Sequence, residues 1–174
     1  MWCWATSLAI TRDFYYHNHT TCDLDECAMA RLNVGIDCCA LPDMCEGTCA
    51  FGAKKEDILR IARMTIPTMK WQLDDFAPSE DRLIKLLTYH TPVLRIMADQ
   101  YGGGHADIVG GCRTTHDENG TKIEYLVVDS MDPNLEWMNY NDSVTVPYAQ
   151  DPDFFWRSTI WSPSFVSRYI AQHP

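Results

Sequence analysis

The chain has 174 residues, 46% of them hydrophobic and 11% aromatic, which is enough for one packed domain. A formal net charge of −10, a pI near 4.8 and scattered lysines and arginines exclude a phosphate-tracking groove, and with it nucleic acid; basic peptides are the more natural partner. No apolar stretch approaches the roughly 20 residues that a bilayer requires, and Arg12 and Asp13 interrupt the apolar N-terminal run, so no membrane span and no signal peptide are expected.

In chain order, Trp4, Ala5, Leu8 and Ala9 recur at helical spacing and predict a helix over 3–16 with one buried face. Leu24, Ala28 and Leu32 repeat that spacing behind Asp23, Asp25 and Glu26, acids that suit a first turn, and Gly35 is the expected terminator. Six cysteines (Cys22, Cys27, Cys38, Cys39, Cys45 and Cys49) fall in this region, while Cys3 and Cys112 stand apart. Disulfides are favoured over reduced structural thiols, and both over zinc, because the spacings lack paired Cys-x-x-Cys units. Bridged, they staple the segment 37–51 and imply an oxidising space, hence secretion. Ile58, Ile61 and Ala62 predict a helix over 55–64, and Ser79 is placed to cap a fourth over 80–89 with Leu83, Ile84 and Leu87 on one face.

From Pro92 the pattern changes to short β-type runs at 93–98, 106–112, 123–129, 143–148 and 158–161, separated by Gly, Asn, Asp and Pro clusters. The expectation is an α+β fold in which an antiparallel sheet or partial barrel packs on the helices. Residues 1–174 form one domain, with a helical, cysteine-rich lobe over 1–91, a β lobe over 92–174 and the site between them.

Two segments carry candidate chemistry. Cys3 opens the first helix, where unpaired N–H groups and the positive end of the macrodipole favour thiolate over thiol. Gly102, Gly103 and Gly104 lead into His105 at the start of a strand, where backbone without Cβ atoms permits close approach. An antiparallel partner strand sets its own end against this start, so Asp129 or Asp132 is the candidate acid. A two-residue turn at Asn119-Gly120 favours Asp132, and a longer loop pairing Cys112 near Ile123 favours Asp129, which is preferred. The acid is expected at the imidazole Nδ1. His17, His19, His90 and His116 are expected at the surface, His116 within the hairpin turn. No metal and no cofactor are required.

Trp2-Cys3-Trp4-Ala5, Asp37-Cys38-Cys39, Pro92-Val93 and the glycine approach to His105, in that order and with an aromatic-rich final third, resemble the papain-like cysteine proteases. The resemblance is closest to a bacterial effector and toxin branch with a Trp-Cys-Trp-Ala start, and it spans nearly the whole chain. It implies a papain-like fold, a Cys3–His105–Asp129 triad, a polypeptide substrate, a cognate inhibitor or immunity protein as a possible partner, and a protein secreted or delivered into a target cell. It also implies cleft roles for Trp4, Gly103 and Gly104, with Trp161 shielding the His–acid bond. The chain departs from the family in having only Met1 and Trp2 before the nucleophile, where an upstream glutamine usually donates to the oxyanion. The backbone N–H of Cys3 remains, and the loss of one donor is worth about 2.7–4 kcal/mol of transition-state stabilisation. Excision from a longer protein, substitution by Gln72 or Gln100, and weak activity are the open explanations, the first being preferred. Competing functions are transferase or amidase chemistry on the same triad and a catalytically impaired secreted binding module.

Overall fold

The computed structural model describes residues 2–16, 26–37, 40, 52–98, 104–118, 120–129, 132, 135–144 and 155–163. Helices α1 (Cys3–Tyr16), α2 (Glu26–Val34) and α3 (Lys55–Thr65) come first, then strand β1 (Gln72–Asp74) and helix α4 (Glu80–Thr88). Strands β2 (Val93–Ala98), β3 (Gly104–Asp117), β4 (Gly120–Val128) and β5 (Glu136–Asn139) follow, then the helical turn α5 (Tyr140–Val144) and strand β6 (Phe155–Trp161). The six strands form one sheet in the order β1-β6-β2-β3-β4-β5, every neighbouring pair antiparallel. The fold is α+β, as expected from the change of periodicity at Pro92.

Alternation along the strands separates two cores. On one face Leu94, Ala106 and Ile160 pack with Trp4, Ala5, Leu8 and Tyr15 of α1, Met29 of α2, and Ile58, Ile61 and Ala62 of α3. On the other, Val93, Val109, Tyr125 and Trp156 meet Leu83, Leu86 and Leu87 of α4. Trp4, Leu8, Thr11 and Tyr15 form the buried stripe of α1 at a spacing of three and four residues, which fixes the rotation that Cys3 inherits. Ser79 caps α4 by accepting the Arg82 N–H at 3.4 Å, and Gly35, at φ 79°, closes α2 with its N–H on the Arg31 carbonyl. None of the described helices is long and apolar enough to cross a membrane.

Several expectations are corrected. The helical half is not a separate lobe, because β1 pairs with β6 inside the common sheet and α4 covers the face opposite α1 to α3. The expected strand 143–148 is overturned over its described part: Tyr140–Val144 is helical, and the neighbouring strand is β5, which pairs with β4. Asn139 is the cause, since its Oδ1 accepts the Asp142 N–H at 2.9 Å and starts the turn. His116 lies in β3, not in the turn, and its Nδ1 is 3.0 Å from Thr121 Oγ1 across the ribbon. Cys27 is disulfide-bonded; Cys22, Cys38, Cys39, Cys45 and Cys49 lie outside the described residues, as do His17, His19, Gln100, Gly102 and Gly103.

Candidate active site

Cys3 sits at the first position of α1, a site where the N–H groups of the opening turn have no partner within the helix. The Trp2 carbonyl accepts from Ala5 and Thr6 at 2.8 and 3.0 Å, so the helix closes directly behind the thiol. One turn on, Ser7 Oγ, itself buried, donates to the Ala106 carbonyl at 3.0 Å. That bond ties α1 to the strand residue beside His105, and the Ala106 N–H in turn donates to the Cys3 sulfur. Ser7→Ala is expected to lower stability by about 1 kcal/mol and to slow alkylation of Cys3, both readable from one set of urea unfolding and labelling-rate measurements.

His105 is buried, with its side chain 2% exposed, and its Nε2 lies 2.9 Å from Asp129 Oδ1. Of the two candidate acids, Asp129 is therefore the one at the imidazole. Asp132 follows in a turn, its N–H on the Asp129 carbonyl at 3.3 Å. The bonded nitrogen is Nε2, which corrects the expected Nδ1. The Cys3 thiol and the His105 imidazole act on each other electrostatically, and with Nε2 committed to Asp129 the nitrogen left to face the thiol is Nδ1. Neither anticipated register produces this. The turn pairs Asp117 with Gly120, and a bulge at Gly110 between the Val109 and Gly111 pairings then slips β4 by one residue, which carries Asp129 back to the start of β3.

The electrostatics favour an ion pair. Burial pushes the Cys3 thiol up, but the hydrogen bond and charge of His105, with the N–H groups of Ala106 and Trp4, outweigh it and leave the thiol below its ordinary range. Burial likewise pushes the imidazole down, and the hydrogen bond and charge of Cys3, then the charges of Asp129 and Asp107, raise it above the ordinary histidine range. Cys112, the other cysteine free among the described residues, is raised by burial alone.

Beneath the histidine lies a pair the sequence did not signal. Arg95 and Asp107 face each other across β2 and β3, and their side chains are 2% and 1% exposed. They bond twice, Nε to Oδ1 at 2.8 Å and Nη2 to Oδ2 at 2.5 Å, and the guanidinium lies 5.8 Å from the Trp156 ring centroid. Residues i and i+2 of a strand share a face, so Asp107 stands beside His105. Ligand atoms of His105, Asp107 and Asp129 come within 4.8 Å of one another, a spacing that suits a metal ion. Both oxygens of Asp107 are already engaged by the Arg95 guanidinium, which competes with a metal ion for that carboxylate.

A cavity of about 650 Å³ opens on the Cys3–His105 pair, lined by Trp4, Ile96, Met97, Gly104 and Ser158, with Lys54, Lys55, Glu56 and Arg157 also on its wall. Trp4 and Gly104 thus stand on the cavity wall. Trp161 does not: its Nε1 donates to Asp74 Oδ2 at 2.7 Å and Arg82 stacks on its ring at 4.8 Å, at the end of β6 that pairs with β1. Trp156 is the tryptophan aligned with His105, through Met97, which pairs with both. Gln72 is exposed on edge strand β1 and does not line this cavity. No protein-family model matches this chain, and no curated protein matches it.

Proposed function

We propose that this chain is a papain-like cysteine peptidase. The observation that carries the reading is the division of the His105 imidazole between Cys3 on one side and Asp129, at 2.9 Å, on the other. A thiol at a helix start, held low by a hydrogen-bonded imidazolium that a carboxylate orients, is an activated nucleophile with its proton donor already in place. The resemblance of the Trp-Cys-Trp-Ala start and the glycine approach to His105 supports the same reading.

In this mechanism the Cys3 thiolate adds to a peptide carbonyl, and the oxyanion that forms lies against the N–H of Cys3 at the open turn of α1. His105 gives its proton to the leaving amine as the C–N bond breaks, which leaves an acyl thioester on Cys3. The neutral imidazole then takes a proton from water, the hydroxide attacks the thioester, and the thiolate departs as the carboxylic acid is released. Asp129 holds the ring through Nε2 and stabilises the imidazolium between these steps.

The test is limiting iodoacetamide at about pH 5.5, where an ordinary thiol is almost wholly protonated, with peptide mapping and a parallel digest of unfolded protein by the wild type and a Cys3→Ala variant. Selective labelling of Cys3 over Cys112, together with new peptide termini made only by the wild type, is the expected result. A Cys3 no more reactive than Cys112 overturns the reading. Labelling without hydrolysis, or with an amine joined to the acyl group, redirects it to transferase or amidase chemistry.

A further inference from the structure

The wall of the cavity beside Cys3 has the opposite sign to the molecule. The chain as a whole carries −10, yet among the described residues the charged side chains lining this cavity, besides His105, are Lys54, Lys55 and Arg157 against Glu56. Lys55 is already engaged, by Asp75 and, at 4.0 Å, by Glu56. Lys54 and Arg157 are exposed and form no ion pair among the described residues. Arg157 lies with its guanidinium 5.1 Å from the Phe155 ring centroid, a contact through the ring face that leaves its charge available to a ligand.

Local and global charge compete, and distance decides between them. Charges more than about 8 Å apart in solvent are largely screened at physiological salt. The excess acids spread over the surface therefore contribute little inside the cavity, whereas two cations on its wall act on anything bound there. A cavity has low-dielectric walls that focus this field. We infer that the cleft selects a carboxylate of the substrate through Lys54 and Arg157, so that the preferred substrate is an acidic peptide and not the basic one that the net charge suggests. The inference rests on the cysteine-peptidase reading and specifies the substrate class of that same site.

The test uses the small reagents iodoacetate and iodoacetamide, which carry the same leaving group and differ in charge, on the wild type and on a Lys54→Gln/Arg157→Gln variant. Both positions are exposed, so the variant retains the core. The iodoacetate-to-iodoacetamide rate ratio at Cys3, which cancels any change in the thiol itself, is expected to fall by about three- to tenfold in the variant, with the difference shrinking at high salt. An equal ratio in both proteins, with Cys3 still selectively alkylated by iodoacetamide, overturns the carboxylate site and leaves the peptidase reading standing. Failure of iodoacetamide to select Cys3 overturns both. Matched peptides then assign the source of the carboxylate. Preference for an internal Glu over Gln with amidated ends assigns it to a side chain, preference for a free over an amidated C-terminus assigns it to the chain end, and neither preference overturns the inference.

Discussion

Replacing His105 by alanine is expected to reduce the rate of Cys3 alkylation at about pH 5.5 by two to three orders of magnitude, to that of an ordinary protonated thiol. The sign follows from the balance at the sulfur. Burial is the largest influence on Cys3 and raises it; the hydrogen bond and charge of His105 reverse that, and the N–H groups of Ala106 and Trp4 add less. Without the imidazole, burial prevails and the thiol moves above its ordinary range. In the wild type, labelling should persist well to the acid side of an ordinary cysteine and the imidazolium well to the alkaline side of an ordinary histidine, which gives the ion pair a broad plateau in the pH profile of peptide hydrolysis, where the imidazolium is the proton donor. The same couplings bear on stability. The contribution of His105 is fully present below the ordinary histidine pKa and is lost as pH rises through its raised folded value, whereas that of Cys3 is lost as pH falls through its lowered one. Asp129→Asn keeps an acceptor for the Nε2 proton but removes the charge, so it is expected to narrow the plateau from the alkaline side and lower labelling less than Asp129→Ala does.

The largest effect on stability is expected from Arg95→Met. The guanidinium is the bidentate partner of a carboxylate whose side chain is 1% exposed, and removing one member of a buried pair leaves an uncompensated charge at a cost of about 3–5 kcal/mol. Urea unfolding should show the loss as a lower midpoint. An Arg95→Met/Asp107→Leu variant removes both charges and keeps similar volume, so most of the loss should return. That double variant also isolates what Asp107 does for the site. Its charge raises the His105 pKa, so with stability restored the alkaline limit of peptide hydrolysis, which needs the imidazolium as proton donor, should still move down. A pair that merely holds β2 to β3 would leave that limit where it was.

The residues legible from sequence were those whose roles depend on local chemistry. Cys3 was readable because it opens an amphipathic stretch, His105 because three glycines precede a β-type run, and Ser79 because a hydroxyl stands before an apolar periodicity. Strand β1 has three residues and β5 has four, too few for alternation to be distinguished from chance. Arg95 and Asp107 were missed because a charged residue inside a strand reads as solvent-facing, and only the pairing of β2 with β3 shows that each buries the other. Trp161 and Trp156 are five residues apart on one strand, and composition cannot say which lies in line with the histidine; the pairings of Met97 do.

By itself, then, the sequence determined the α+β class and pointed to a thiol, an imidazole and one of two carboxylates able to work together, since helix starts, glycine approaches and hydrophobic periods are written in neighbouring residues. Tertiary structure alone decided that Asp129 and not Asp132 meets the imidazole, that it does so at Nε2, and that the cavity wall is cationic in an acidic protein. Each of these depends on long-range register: a one-residue bulge at Gly110 moves β4 past β3, and Lys54 and Arg157, a hundred residues apart in the chain, reach one cavity only after α3 and β6 have packed on the same sheet.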